Sequence, residues 1–464
     1  MKKRTESVKS IYTLCANGFM LAISTAIFIW RWYAYIRFDM DRAFQGKGNI
    51  LMFALYVVLV VVSLRMCKGF SLGKERLTRL VAAQILAFLL LAALLFSVLS
   101  LIVGHIGKLT EIGLEVLIVT VLSILEYLIF DIIFVNIYIR VFPPYRMVQV
   151  YGEYDNDLVS KMESRLDKYN IVSEISANAP WEEMEKLFYS HDAILLNDVP
   201  LELERQIIKF GYAHSKRVYF TPKISDILVK GSEEINFFDS PLFLNKNRGI
   251  SAGQRIVKRA FDIIASFIAL IILSPIFLII SILIKAEDGG PVFYRQERVT
   301  FRHRHFMILK FRSMIVDAEK DGLSIPAGEK DPRITKIGSF IRATRIDELP
   351  QLINIIKGDM SVVGPRPERV EHMEKYTQIL PEFDYRLKVK GGLTGYAQVY
   401  GKYNTTAYDK LKMDLLYITN YSFALDIQIM FETLKILFRK ESTEGFTDKQ
   451  AKAIREMEMH AHDD

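Results

Sequence analysis

The sequence predicts a membrane protein in three parts. An N-terminal four-helix transmembrane bundle covers 1–142, a central Rossmann-like α/β domain covers 146–250, and a membrane-docked domain over 251–440 is built on a re-entrant helix at 258–285. Three observations predict it. Four long apolar segments fill the first third of the chain. Short β-rich runs then alternate with amphipathic stretches, the pattern of a small parallel sheet. A fifth apolar segment has a proline at its centre and basic residues at both ends.

The composition agrees. The 464 residues are too many for one compact domain. Of these 51% are hydrophobic, yet 24% are charged, which fits membrane segments joined to water-exposed parts. The net charge of +7 suits an anionic membrane surface or phosphate-bearing ligands. The only cysteines, Cys15 and Cys67, exclude a disulfide framework and a cysteine-based metal site.

The four segments lie near 11–36, 50–64, 80–103 and 113–139. A span needs about 20 helical residues, so the second is short. The start Met1-Lys2-Lys3-Arg4 reads as the flank of a retained first span rather than a signal peptide. The stretch behind it is long, lacks a small-residue cleavage site, and three more follow. Arg65, Lys68, Lys74, Arg76 and Arg79 separate the second and third segments, and Arg140 and Arg146 follow the fourth. Lys108 is the one basic residue between the third and fourth. The positive-inside rule therefore places both ends of the bundle in the cytoplasm. Glu126 and Asp131 fall inside the fourth segment. Ionisable residues in a span are functional candidates; the plainer reading is a bundle-facing pair near the cytoplasmic end.

The α/β unit should have strands at 147–151, 171–175, 193–197 and 217–220, with helices over 157–168, 181–190 and 201–215. Gly152 ends the first strand, but Glu153-Tyr154-Asp155 follows where a dinucleotide fingerprint would continue. Asp155 and Asp157 would repel a pyrophosphate, so the unit reads as a spacer or regulator. Pro241, Asn245, Asn247, Gly249 and Gly253 mark the next boundary. The tail over 441–464 is polar and should project from the core.

Residues 263–284 are long enough to cross, but crossing would export the basic region that follows Lys285. Ser274-Pro275 removes a backbone donor at mid-segment. A bent helix can enter and leave by one leaflet if Ser274, Ser266 or packing satisfies the freed carbonyls; the alternative is an ordinary span kinked at the proline. From Pro291 to Arg345 there are twelve Lys/Arg against six Asp/Glu. Such an excess suits a polyanionic ligand; the thin aromatic interleaving argues against nucleic acid.

Behind it stands Asp347-Glu348, with Pro350 in a first turn and Leu349, Leu352, Ile353 and Ile356 at helical spacing. Adjacent carboxylates can divide labour, one attacking phosphorus or holding a metal while the other orients or moves a proton. Taken alone, an exposed acidic helix start is the plainer reading. Gly358-Asp359-Met360-Ser361 through Gly364-Pro365-Arg366-Pro367 should be a tight loop rather than helix or strand. Arg366 on it could fork onto a phosphate. Lys390-Gly391-Gly392-Leu393-Thr394-Gly395 is a second glycine-rich turn.

Together with Lys310-Phe311-Arg312-Ser313-Met314, these runs resemble the bacterial sugar transferase family, the monotopic polyprenyl-phosphate hexose-1-phosphate (phosphoglycosyl) transferases. Lys258-Arg259-Ala260-Phe261-Asp262 and the Ser274-Pro275 break resemble that family's re-entrant anchor, and the whole layout resembles its long subclass. The resemblance implies a mostly α catalytic domain at the cytoplasmic face of the bacterial inner membrane. It implies transfer of sugar-1-phosphate from a UDP-sugar to undecaprenyl phosphate, with release of UMP, as the first step of capsule or exopolysaccharide assembly. Asp347 matches the nucleophile that becomes a covalent aspartyl adduct, and Glu348 its dyad partner. Mg²⁺ is the implied cofactor, with Asp347 as its protein ligand. Arg366 matches an arginine on the nucleotide phosphates; Lys310, Arg312 and Arg345 are further substrate contacts. A homodimer follows from the subclass alone. The alternative is an inactive membrane scaffold or regulator of polysaccharide assembly. The chain departs from the family pattern twice: Thr300-Phe301-Arg302-His303 replaces the usual glycines after Arg298, and Gly391 stands where proline is common, which should loosen that loop.

Overall fold

The computed structural model describes residues 2–36, 47–152, 158–237, 239–245, 249–316, 333–401 and 405–437. The polar tail over 441–464, Asp155 and Asp157, and the 317–332 part of the basic stretch lie outside them. The chain forms two compact units, 1–222 and 223–464.

The first unit opens with four long helices: α1 (Lys2–Ala34), α2 (Lys47–Met66), α3 (Leu77–Val103) and α4 (Leu109–Val141). All four are long and apolar enough to cross a membrane. The segment that looked short, 50–64, lies in a helix of 20 residues, because the less apolar Lys47-Gly48-Asn49 joins its first turn. α1 packs on α2 and α4, and α3 packs on the same two. Their outer faces carry exposed apolar residues such as Leu51, Leu89, Leu117 and Ile129, as a lipid-facing surface requires.

The sheet follows: β1 (Tyr145–Tyr151), α5 (Leu158–Glu163), β2 (Tyr169–Ser176), α6 (Trp181–Ser190), β3 (Ala193–Asn197), α7 (Leu201–Ala213) and β4 (Arg217–Phe220). All pairings are parallel, in the order β2-β1-β3-β4. That is the flavodoxin-like arrangement of a doubly wound fold rather than the Rossmann order 3-2-1-4. Ligands of such sheets sit where the order reverses, here between the ends of β1 and β3. There the Gly152 amide donates to the Asn197 carbonyl at 2.9 Å. A Cβ on Gly152 would lie 1.9 Å from the Asp198 carbonyl oxygen. The backbone after β3 thus packs directly against Gly152, an approach that only glycine permits.

The second unit begins earlier than the boundary read from the sequence. α8 (Ile224–Lys230) and the hairpin β5 (Glu233–Phe237)–β6 (Ser240–Leu244) belong to it rather than to the sheet. The reason is packing: Ile227 and Ile250 are buried in the second unit's core with Leu352, Phe383 and Leu411. Next come α9 (Ala252–Asp288), the antiparallel pair β7 (Phe293–Thr300) and β8 (Arg304–Phe311), α10 (Lys336–Ala343), α11 (Gln351–Lys357) and β9 (Ser361–Val363). α12 (Val370–Ile379), β10 (Gly392–Thr394), α13 (Tyr396–Tyr400), α14 (Ala407–Thr419) and α15 (Phe423–Leu437) complete it.

α9 is also long and apolar enough to span. It starts with a capping box, Ser251 accepting from the Gln254 amide, and ends at Gly289 in the left-handed region. It runs 37 residues as one helix through Pro275. Proline at 275 leaves the Ile271 carbonyl without its helical donor. The Ser274 hydroxyl donates to that carbonyl at 2.8 Å, so Ser274 plays the satisfying part expected of it. Ser266 does not; its hydroxyl is buried without a partner.

Candidate active site

The site is built where β8, the turn after α10 and the loop after β9 converge. β7 and β8 pair so that Tyr294 lies opposite Lys310. Their connecting turn holds Arg302 at φ 56° and His303 at φ 58°. Glycine adopts this left-handed backbone freely; other residues do so at a cost of about 1–2 kcal/mol each. The chain therefore makes this turn without glycines and carries the strain.

Asp347 and Glu348 lie in a single 3-10 turn, Ile346–Glu348, directly before α11. Arg345, itself left-handed at φ 56°, turns the chain sharply out of α10 and into that segment. Asn354 fixes α11 against β8: its carbonyl oxygen accepts from the Leu309 amide at 2.9 Å and its nitrogen donates to Met307 at 2.8 Å. From the other side Arg259 of α9 donates to the Ile355 and Ile356 carbonyls at 2.5 and 2.8 Å. These are last-turn carbonyls, the Ile355 one shared with the Gly358 amide at 3.0 Å, so Arg259 acts as a C-terminal cap.

The glycine-rich runs pack backbone on backbone. The sequence suggested loops only, but Ser361–Val363 and Gly392–Thr394 pair as two short parallel strands. A Cβ on Gly392 would lie 2.1 Å from the Gly364 nitrogen, so only glycine permits the approach. The Gly392 amide donates to the Pro365 carbonyl at 2.9 Å. Gly391, expected to loosen its loop, instead donates its amide to the Thr300 hydroxyl at 3.0 Å. A proline there would have no such donor.

This framework delivers Arg366 to the dyad. Its Nη2 lies 2.7 Å from Glu348 Oε1, and Lys310 Nζ lies 3.2 Å from the same oxygen. Burial alone would raise the Glu348 pKa, but Arg366 and Lys310 outweigh it and hold the group well below the usual carboxylate range. Arg366 is held correspondingly high by Glu348, and burial pulls Lys310 down. Asp347 differs. Burial and the neighbouring Glu348 push it up to about 6, against the opposing pull of Lys310, Arg342 and Arg366. The pair therefore has one carboxylate locked as an anion and one poised to titrate near neutrality.

Of the residues singled out from the sequence, Asp347, Glu348, Lys310 and Arg366 come together. Arg345 stands two residues before Asp347, and its charge acts on Glu348. Arg312 does not join them. Its guanidinium pairs with Asp288 at the end of α9 and stacks so close to Gly290 that a Cβ there would meet Nη1 at 2.0 Å. Ser274 and Pro275 lie within α9.

Sequence reading missed the support behind Arg366. Arg386 donates to the Arg366 carbonyl at 3.0 Å and pairs with Glu368 at 3.3 Å and Asp414 at 2.8 Å. Lys410 joins Glu368 at 2.9 Å. Arg298 holds the Pro367 carbonyl at 3.2 Å, and burial lowers its own pKa to about 10. One signal was available: Asp414 interrupts the apolar stripe of α14 beside Leu411, Leu415 and Ile418, where an acid needs a buried partner.

Among the described residues no group of three or more His, Cys, Asp or Glu could cage a metal. Mg²⁺ does not require one. It takes one or two carboxylates and completes its shell with water and substrate phosphate. Asp347 fits that need: Glu348 Oε1 already faces two cations, whereas the raised Asp347 has none bonded to it among the described residues.

A carboxylate pair backed by buried cations can bind and neutralise phosphate oxygens. The comparisons with known proteins bear on the family. A family model described as bacterial sugar transferase matches residues 253–440. A UDP-N-acetylgalactosamine-undecaprenyl-phosphate N-acetylgalactosaminephosphotransferase of Aeromonas hydrophila is 37% identical over 254 residues, 53% of this chain and 59% of that protein. A UDP-glucose:undecaprenyl-phosphate glucose-1-phosphate transferase of Klebsiella pneumoniae is 41% identical over 237 residues, 49% of this chain and 47% of its own. The exopolysaccharide production protein ExoY of Rhizobium meliloti is 35% identical over 210 residues, which are 42% of this chain but 92% of ExoY. The chain belongs to the bacterial sugar transferase family. It spans about half the length of the first two of these relatives.

Proposed function

We propose that the protein transfers a sugar-1-phosphate from a UDP-sugar to undecaprenyl phosphate at the cytoplasmic face of the bacterial inner membrane, releasing UMP and initiating capsule or exopolysaccharide assembly. The observation that carries this reading is the division of the dyad: Glu348 clamped by Lys310 and Arg366, Asp347 free beside it. Relatives named for undecaprenyl-phosphate sugar phosphotransfer support the substrate class.

In the first step an Asp347 oxygen attacks the sugar-bearing phosphorus. The bond from that phosphorus to the bridging oxygen breaks, and UMP leaves with the electron pair. In the second, an oxygen of undecaprenyl phosphate attacks the same phosphorus and displaces Asp347. The acceptor is already an anion, so no side chain need deprotonate it. Arg366 and Lys310 neutralise charge that builds on the non-bridging oxygens, in a buried setting where each contact is stronger than in water. Glu348 fixes both cations in place. Mg²⁺, held by Asp347 and the substrate phosphates, would supply further charge neutralisation. In this reading α1–α4 form a transmembrane bundle and α9 docks as a re-entrant anchor, so that a lipid phosphate and a soluble nucleotide reach one site.

The test is nucleotide release from a panel of UDP-sugars by purified protein with undecaprenyl phosphate and Mg²⁺. UMP should appear with one donor and vanish in Asp347→Asn, while that variant still inserts in membranes. UDP release, or near-normal turnover by Asp347→Asn, would refute the covalent route.

A further inference from the structure

A second concentration of buried charge lies in the first unit, far along the sequence from the dyad. The Ser24 hydroxyl on α1 lies 3.0 Å from the Tyr56 hydroxyl on α2 and 3.2 Å from the Ser123 hydroxyl on α4, which sets those three helices in register. Two turns before Ser24 on α1, and two turns after Tyr56 and Ser123 on the oppositely running α2 and α4, stand Asn17, Ser63 and Asp131. Phe88 on α3 packs edge-on against Tyr127 at 4.9 Å, and one turn beyond it Gln84 reaches the level of Asp131. Each of the four helices therefore contributes one polar side chain to a single layer. Glu126 and Tyr127 sit just beside it, within electrostatic reach of Tyr56 and Asp131.

This layer has acceptors and little to satisfy them. Both oxygens of Glu126, both of Asp131, the Tyr127 and Ser63 hydroxyls and the Asn17 carbonyl oxygen are buried without a hydrogen-bond partner. Ser63 and Tyr127 are each 1% exposed, Asp131 0% and Glu126 7%. The Gln84 amide donates one N–H to the Gly69 carbonyl at 3.2 Å and its second bears on Asp131, which leaves the Glu126 oxygens with no donor from it. Arg31, the buried cation of these helices, is bound to Glu115 at 2.6 Å. Buried carboxylates without a counter-charge are strongly unfavourable. A set of carboxylate, hydroxyl and amide oxygens drawn from several helices is the donor set of a hard cation.

We propose that this layer binds an alkali or alkaline-earth metal ion, with Glu126 and Asp131 supplying charge and Asn17, Ser63 and Tyr127 neutral oxygens. The rival state, with both carboxylates protonated, holds no ion. The test uses the purified full chain in detergent, with choline chloride exchanged for sodium, potassium, calcium or magnesium chloride at equal ionic strength. One of these should raise Tm in a saturable way, and Glu126→Gln or Asp131→Asn should remove the rise. A rise that survives both substitutions comes from elsewhere, as from Asp347, and overturns the proposal, as does the lack of any rise. Labelling with dicyclohexylcarbodiimide needs no variant. Peptides holding Glu126 and Asp131 should be modified in choline and protected by the stabilising cation; labelling indifferent to all four cations overturns the site.

Discussion

Glu348 and Asp347 are neighbours in sequence, yet their surroundings push them in opposite directions. That separation has a kinetic signature. A nucleophile must be ionised, and Asp347 loses its proton as pH rises through about 6. Turnover measured against pH should therefore fall on the acid side of about 6, and Glu348 contributes no second acid limb in that range. Mg²⁺ held by Asp347 would move that limb to lower pH, so the limb should shift as Mg²⁺ is varied; a profile that neither falls towards acid pH nor moves with Mg²⁺ would contradict the assignment of Asp347 as attacking group. Behind the dyad, Glu368 is held down to about 2: burial would raise it, but Lys410 and Arg386 prevail. A carboxylate depressed in the folded state gives stability that is full above its ordinary value of 4.5 and is lost as pH falls through about 2. Arg386→Met would leave Glu368 and Asp414 buried without their shared cation. Breaking a buried pair in this way costs roughly 3–5 kcal/mol, readable by denaturant unfolding. The dyad was legible in the sequence because its two acids are adjacent and followed by a helical apolar pattern. Arg386, Glu368 and Asp414 were not, because their meeting depends on three separate elements.

At the scale of elements, periodicity carried the reading. The four strands of the sheet and the second to fourth apolar helices stand within a few residues of where apolar pattern and turn residues place them, while α1 begins nine residues before its apolar segment. Two features escaped it. β9 and β10 are too short and glycine-rich to show a strand pattern; they pair because Gly364 and Gly392 let two backbones touch. α8 and the β5–β6 hairpin were assigned to the wrong unit, since nothing local marks which core Ile227 enters. α9 offers a direct test of the anchor. With Cys15 and Cys67 replaced by Ser, single cysteines at Arg255 and at Glu287 should both react with a membrane-impermeant reagent from the cytoplasmic side. Reaction from opposite sides would make α9 an ordinary span.

At the scale of the molecule, the residues that build the dyad and its supports all lie between Lys258 and Asp426, inside the second unit. ExoY, a relative of which 92% is matched, corresponds to less than half of this chain. Residues 223–464, expressed alone with membrane or detergent, should therefore retain UMP release from the donor that the full chain accepts. Loss of turnover with retained folding would assign the first unit a part in catalysis.

The cap that Arg259 places on α11 has a mechanical meaning. α9 holds α11 at its carbonyl end, and Asp262, one turn further on, receives the Val362 amide at 3.0 Å. The dyad and the strand leading to Arg366 are thus tethered to the same two turns of the anchor. If lipid sets how deep and at what slope that anchor rests, the bilayer becomes a lever arm. Membrane thickness would then raise or lower the dyad and its cation clamp together relative to the bilayer surface, making the physical state of the lipid a control on the proposed transfer.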